Sequence, residues 1–265
     1  MKSLNIIVNK ILNCMNLHLK ILRRNHDTII SELEAFREKY PETIIFDVGA
    51  HEGSSINRFR ILYGTESTKI YAFEPSSLFV QLKQKYSREP YIILSKYAIS
   101  DSNGEVEFFE HKSATGSSSL EAVSKGSKFS KRRRLEEESN IAVTKVEKVT
   151  VDSFCKDNNI DYISHLKIDV QGHEANVLSG AKQMLSNNLI EIIEVEVITG
   201  DAYSKVGSFF GIEQYLIPFG YSIVSISPDG RFFNLEPHDI LRNAELQFDL
   251  IYCSKKVRER ILNVN

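Results

Sequence analysis

Cysteine is scarce in this chain. Cys14, Cys155 and Cys253 are far apart, odd in number and form no Cys-x-x-Cys pair. That argues against a disulfide framework or a thiolate zinc site and fits a reducing compartment. Charge of one sign is also lacking. The 33 Lys and Arg nearly balance 35 Asp and Glu, for a formal net charge of -2. No global basic field therefore points to nucleic acid. No apolar run approaches the ~20 residues that a membrane-spanning helix needs. What is left is an ordinary soluble composition, 42% hydrophobic and 26% charged, at a length that fits one large α/β domain with an N-terminal extension.

The extension, residues 1–40, is expected to be helical. Leu4, Ile7, Ile11, Leu12, Met15, Leu19 and Leu22 recur at near-helical spacing. Asn5, Asn9, Lys10 and Asn13 interrupt any signal-peptide core. Such a helix would pack on the domain or on a second copy in a homodimer. The alternative is a helix lying at a membrane surface, given Lys2, Lys10, Lys20, Arg23 and Arg24. These basic residues do not form one clean face, so the packing role is preferred and a cytoplasmic location expected, with a peripheral membrane position as the second choice.

The main domain is expected over 41–256, with a tail over 257–265. Thr43 to Val48 is an apolar run of the kind that forms a parallel strand covered on both faces. Asp47-Val48-Gly49-Ala50-His51-Glu52-Gly53 then turns into a helix over Ser54 to Tyr63. Strands are expected at Lys69 to Pro75, Tyr91 to Leu94, Glu105 to Phe109 and His165 to Val170. Others follow at Leu189 to Val197, Tyr221 to Ile226 and Asp249 to Ser254. Helices alternate with them: Asp27 to Phe36, one capped by Ser76 or Ser77, Glu174 to Leu185, and Ile212 to Pro218. Alternation of this kind predicts a parallel sheet. A Ser- and Lys-rich stretch near 112–140 reads as a loop or lid, its Lys131 to Arg134 cluster compensated by Glu136 to Glu138.

Three strands each carry an acid near the carboxyl end: Asp47, Glu74 and Asp169. In an open parallel sheet that edge binds ligands. Glu74 follows Gly53 by roughly twenty residues, the distance at which an acid meets ribose hydroxyls in dinucleotide folds. Pro75 closes its strand. The third glycine of G-x-G-x-x-G is absent, and Glu52 would sit close to a pyrophosphate. Both features weaken a nicotinamide-dependent oxidoreductase and favour a cofactor without phosphates. S-adenosylmethionine, a sulfonium cation, suits acids at strand ends.

These segments resemble class I methyltransferases. Asp47 to Gly53 is similar to their first motif, Phe73-Glu74-Pro75 to the second, and Ala98 to Asp101 with Gly104 to the segment after the third strand. The block Leu166-Lys167-Ile168-Asp169-Val170-Gln171-Gly172-His173-Glu174, continuing to Gly180-Ala181, resembles the signature of FkbM-type methyltransferases. The resemblance runs from about Thr43 to Thr199. It implies a doubly wound, mostly parallel seven-stranded sheet and a Rossmann-like S-adenosylmethionine site. It also implies methyl transfer to oxygen, often on a sugar or glycosylated metabolite.

Carried over by position, Asp47, Gly49, Ala50, His51 and Gly53 shape the methionine pocket. Glu74 and Pro75 meet ribose, Ala98 lies near adenine, and Asp169 sits beside the transfer site. Glu196 closes the next strand. Lys96 stands where such sequences often have Asn, and Gln171 where Glu is common. A hydroxyl acceptor gains from a base, and Asp169 and His173 are the candidates. His173 can instead cap its helix. Asp169, His173 and Glu196 form an alternative set for a divalent metal. Gly116 to Leu120 resembles a Ser-rich family segment that orders over acceptor hydroxyls, or is a plain linker. Tyr203, Phe209 and Phe210 either stack on a sugar ring or belong to the core. A scaffold that binds the cofactor without turnover is a further alternative.

Overall fold

The structure is a computed structural model that describes residues 26–34, 42–64, 68–127, 130–131, 135, 137–198, 209–228 and 247–263. The expected helix over 4–22, most of the 131–136 charge cluster, and Tyr203 lie outside the described residues.

Among the described residues the strands are β1 Thr43–Val48, β2 Thr68–Phe73, β3 Ile92–Ser95, β4 Ala98–Ile99, β5 Gly104–His111, β6 Ile141–Val149, β7 Ile163–Ile168, β8 Ile190–Ile198, β9 Ser222–Pro228 and β10 Gln247–Cys253. Seven of them form the main sheet in the order β3-β2-β1-β7-β8-β10-β9. The pairs from β3 through β8 are parallel. β10 runs antiparallel to both of its neighbours. The expected doubly wound, mostly parallel sheet is what forms.

Its core follows from strand alternation. Phe46, Leu166, Ile193, Val195 and Tyr252 pack on one face against Phe154, Val177, Leu178, Leu185 and Ile212. Ile45 and Ile70 pack on the other against Ile56, Phe59 and Leu82. Ile192 and Ile251 join Ile30 and Val257 there. Each face is thus covered by its own helices, which is why the inner strands tolerate so little polar alternation.

Two expectations need correction. The segment near 105–109 does not extend the main sheet. β5 pairs antiparallel with β6, β4 pairs parallel with β6, and the three make a separate small sheet. The alternating Glu105 to Phe109 pattern belongs to a half-solvated strand, not a doubly covered one. The expected Glu174 to Leu185 helix is two short helices, Glu174–Ser179 and Lys182–Ser186. The break is at Gly180, whose backbone approaches Ser100 so closely that a Cβ would lie 2.0 Å from the Ser100 carbonyl oxygen. Gly180 also accepts a hydrogen bond from the Asp152 N–H. A smaller adjustment concerns the helix Phe79–Lys85: Leu78 is its cap residue, with no side-chain cap. Ser76 Oγ instead accepts from the Leu78 N–H.

The chain leaves β1 toward β2 and β3, then returns on β1's other side as β7. This reversal opens a crevice at the carboxyl ends of β1 and β7, the place where open α/β sheets bind ligands. Gly49 seals its base. It has φ of 88°, and a Cβ would lie 1.9 Å from the Asp169 carbonyl oxygen, so the β1 and β7 turns touch backbone to backbone only with glycine here.

Gly180→Ala is expected to destabilise the fold by about 1–3 kcal/mol through overpacking, read as a melting temperature lower by about 2–4 °C per kcal/mol lost. A melting curve matching the wild type would show that the contact with Ser100 is not tight.

Candidate active site

A cavity of about 410 Å³ fills the crevice, within the ordinary size of small-molecule sites. Gly49, Ala50, His51, Glu74, Pro75, Ala98, Asp169, His173 and Glu196 all line it. Asp47 and Gly53 are not among its lining residues. Asp47 is fully buried behind the wall, where its Oδ2 accepts from Ser55 Oγ at 2.5 Å. Its Oδ1 has no hydrogen-bond partner among the described residues. Burial pushes the Asp47 carboxyl up, against the pull of Lys167. Gly53 packs under the Tyr86 ring and is the left-handed residue that starts the helix Ser54–Tyr63.

The first wall is a turn bolted to the next strand. The N–H groups of Gly49 and Ala50 both donate to the Phe73 carbonyl, at 3.1 and 3.0 Å. The His51 N–H donates to Glu74 Oε2 at 2.7 Å, and the Ser76 N–H to Glu74 Oε1 at 3.0 Å. Glu74 therefore joins the two turns, and a carboxylate oxygen can accept more than one hydrogen bond. Each oxygen keeps capacity for a hydroxyl arriving from the cavity. Tyr97, Ala98 and Ile99 supply a flatter, more apolar wall beside it. Lys96 is exposed and faces away from this cavity.

The second wall is built around Lys167, which sequence reasoning did not single out. Strand register sets Asp47 beside Lys167 and Lys167 beside Glu194. Lys167 Nζ donates to Asp169 Oδ2 at 3.0 Å. Burial disfavours its charge, but Asp169, Asp47 and Glu194 outweigh this and hold it charged well above the ordinary lysine range. Burial raises the Asp169 carboxyl, yet Lys167 and the Gln171 amide outweigh this and hold it below the usual carboxylate range. Glu194 is also held ionised, despite its burial, by His165 and Arg58. The Arg58 guanidinium grips it bidentately, at 2.7 and 2.8 Å.

Gln171 has a specific use. Its Nε2 donates to Asp169 Oδ1 at 3.1 Å and also to Glu196. Gln247 Nε2 donates to the other Glu196 oxygen at 2.5 Å. An amide between two carboxylates satisfies both, whereas a third acid there would repel them. Gln171 and Gly172 are both in the left-handed region. Glu174 holds this turn by accepting from the N–H groups of Val170 and Gly172. Its burial pushes it up to about 7. Glu196 rises well above the ordinary glutamate range through burial and the nearby Asp169.

The third wall is the Ser-rich segment, which is not a linker. Thr115, Gly116, Ser118, Ser119 and Leu120 line the cavity. The segment is tied down at three points. His51 Nε2 lies 2.8 Å from Thr115 Oγ1, and Ser119 Oγ donates to the Val170 carbonyl at 3.0 Å. His173 Nδ1 lies 2.9 Å from Glu121 Oε1. His173 Nε2 lies 2.9 Å from Ser100 Oγ. His173 occupies the cap position of its helix but makes no capping hydrogen bond. Its two nitrogens serve the cover and Ser100 instead. Phe209 packs partly on the core while Phe210 is exposed, and neither lines the cavity.

The metal set is not assembled. Among the described residues no three His, Cys, Asp or Glu side chains are grouped to hold a metal ion. Asp169 faces Lys167 and Gln171 while His173 faces Ser100 and Glu121. Also among the described residues, no helix is long and apolar enough to cross a membrane.

A family described as "Methyltransferase FkbM domain" matches residues 47–223. A curated relative, 2-O-methyltransferase NoeI of Sinorhizobium fredii, is 28% identical over 165 residues, covering 61% of this chain and 64% of that protein. The chain thus spans a little under two thirds of that relative's length. Among solved structures, the methyltransferase FkbM of Methylobacillus flagellatus is similar with a TM-score of 0.47 at 12% identity, over 84% of this chain and 48% of that one. The fibrillarin of Aeropyrum pernix, solved with natively bound S-adenosyl-L-methionine, is similar with a TM-score of 0.39 at 12% identity, over 84% of this chain and 73% of that one.

Replacing Lys167 by Met removes the cation from among Asp47, Asp169 and Glu194. Because this breaks a buried ion pair on one side only, Lys167→Met should cost about 3–5 kcal/mol in urea unfolding at pH 7. The depressed Asp169 carboxyl adds stability above the unfolded aspartate value of about 4, and that stability is lost as pH falls. In the variant the carboxyls rise and take up protons at higher pH, so the deficit should shrink between pH 7 and 5. A pH-independent deficit would mean that Lys167 acts through packing alone.

Proposed function

The chain belongs to the FkbM methyltransferase family, and from that premise we propose that it is an S-adenosylmethionine-dependent O-methyltransferase whose acceptor is a sugar or glycosylated metabolite. The observation that carries this reading is the excess of acidic over basic side chains around the cavity. Its lining side chains include the carboxyls of Glu74, Asp169, Glu196 and Asp249 and one lysine, Lys167. Such a lining suits a cationic ligand and opposes a pyrophosphate.

The residues fit the cofactor. Glu74 would take the ribose hydroxyls, Tyr97 to Ile99 would cover the adenine, and the Gly49-Ala50 turn with Ser54 and Ser55 would hold the amino-acid end. Bound there, S-adenosylmethionine would supply an activated methyl on a sulfonium. Asp169, held ionised by Lys167, sets a fixed negative charge beside that position without reorganisation. The cover from Thr115 to Leu120 excludes water and helps hold the acceptor, and for methyl transfer positioning supplies much of the acceleration. The relative's name as a 2-O-methyltransferase supports oxygen as the acceptor atom. The amides and carboxylates around Asp169 suit a ligand rich in hydroxyls. The family match sets aside the nicotinamide-dependent alternative. His173, with both nitrogens engaged, is a positioning residue for Glu121 and Ser100.

Calorimetry with S-adenosylmethionine and S-adenosylhomocysteine is the test. Both should bind, and Glu74→Gln should weaken both about tenfold, or roughly 1.4 kcal/mol. Asp169→Asn should lower turnover far more than it weakens binding. Absence of binding by the wild type would overturn the reading. Binding with no transfer to any glycan or metabolite would favour the scaffold.

A further inference from the structure

A base for the acceptor hydroxyl acts most freely when hydrogen bonds to the protein do not already stabilise its charged form. Most titratable side chains of the cavity fail this condition. Glu74 is bound to two backbone N–H groups, Asp169 to Lys167 and Gln171, and Glu196 to Gln171 and Gln247. His173 has both ring nitrogens engaged, by Ser100 and Glu121, and His51 Nε2 is held on Thr115 in the cover. Asp249 is different. It lines the cavity from β10, and its carboxyl makes no hydrogen bond to a described residue. Antiparallel register sets it directly opposite Glu196, so the two side chains share one face of the sheet.

We propose that Asp249 is the catalytic base of this enzyme, accepting the proton of the acceptor hydroxyl during methyl transfer; this rests on the O-methyltransferase reading above. The acceptor oxygen forms its bond to the methyl carbon as the carbon–sulfur bond of the sulfonium donor breaks. The bonding pair goes to sulfur, which becomes a neutral thioether. The hydroxyl proton passes to the Asp249 carboxylate and from there to solvent. The charges around Asp249 suit the task. Glu194 and Glu196 face it from β8, Lys167 from β7, Asp169 from just past the end of β7, and Arg58 from the helix Ser54–Tyr63, while β9 sets Ser227 opposite it in register. Burial first, then Glu194 and Asp169, raise its carboxyl to about 7, against the pull of Lys167 and Arg58. A base with that value is about half ionised at neutral pH and still holds a proton well.

Two measurements test this. In the ligand-free protein with ¹³C-labelled aspartate, the resonance that disappears in Asp249→Asn should titrate near neutrality. Titration of that resonance in the ordinary aspartate range overturns the proposal. The second is transfer of labelled methyl from S-adenosylmethionine to an extract of source cells lacking the gene. The wild-type rate should fall about tenfold per pH unit below 7. Asp249→Asn should lose about 10²-fold or more together with that acidic limb, and Asp249→Glu should restore part of both. Affinity for S-adenosylhomocysteine and the melting temperature should stay close to wild type. An Asp249→Asn variant as fast as wild type overturns the proposal and leaves the methyltransferase reading intact. No transfer by the wild type overturns that reading and the proposal together.

Discussion

Everything at the carboxyl edge of this sheet depends on one ammonium group among carboxylates. Lys167 sits between Asp47 and Glu194 in register and reaches forward to Asp169. Without it, three acids would share a buried strip, and like charges so placed cannot all stay ionised. With it, Asp169 remains an anion at the mouth of the cavity. The same strip explains a feature that looks wrong for an inner strand: β8 is buried at all nine positions yet contains Glu191, Glu194 and Glu196. Each has a fixed partner or neighbour, Arg260 for Glu191, Arg58 and His165 for Glu194, and Gln171 and Gln247 for Glu196.

The sheet was legible in the sequence because doubly covered parallel strands are continuous apolar runs. Thr43 to Val48 and the Ser54 to Tyr63 helix fall where the pattern puts them. The small second sheet was not legible, because alternation in Glu105 to Phe109 specifies a strand without naming its partner. Gly180 was visible as a residue, but its reason, a backbone contact with Ser100 across long sequence separation, appears only in three dimensions.

For the site, Glu74 and Asp169 announced themselves as strand-end acids. Lys167 had a signal that went unused: it precedes Asp169 by two residues, and residues two apart in a strand share a face. Asp249 had none, since its place at the cavity follows from the antiparallel pairing of β10 with β8. Asp47 behaves differently from its motif role. It supports the wall through Ser55 instead of forming the lining. The Ser-rich cover was ambiguous for a physical reason: small polar residues build both linkers and close-packed lids. Here the pins at Thr115, Ser119 and Glu121 decide for the lid.

The most direct measurement is a crystal structure of the chain with S-adenosylhomocysteine. The account requires the ribose hydroxyls on Glu74, the adenine against Tyr97 to Ile99, and the sulfur beside Asp169 with Asp249 across the remaining space. A nucleoside bound elsewhere, or one whose ribose leaves Glu74 untouched, would contradict it.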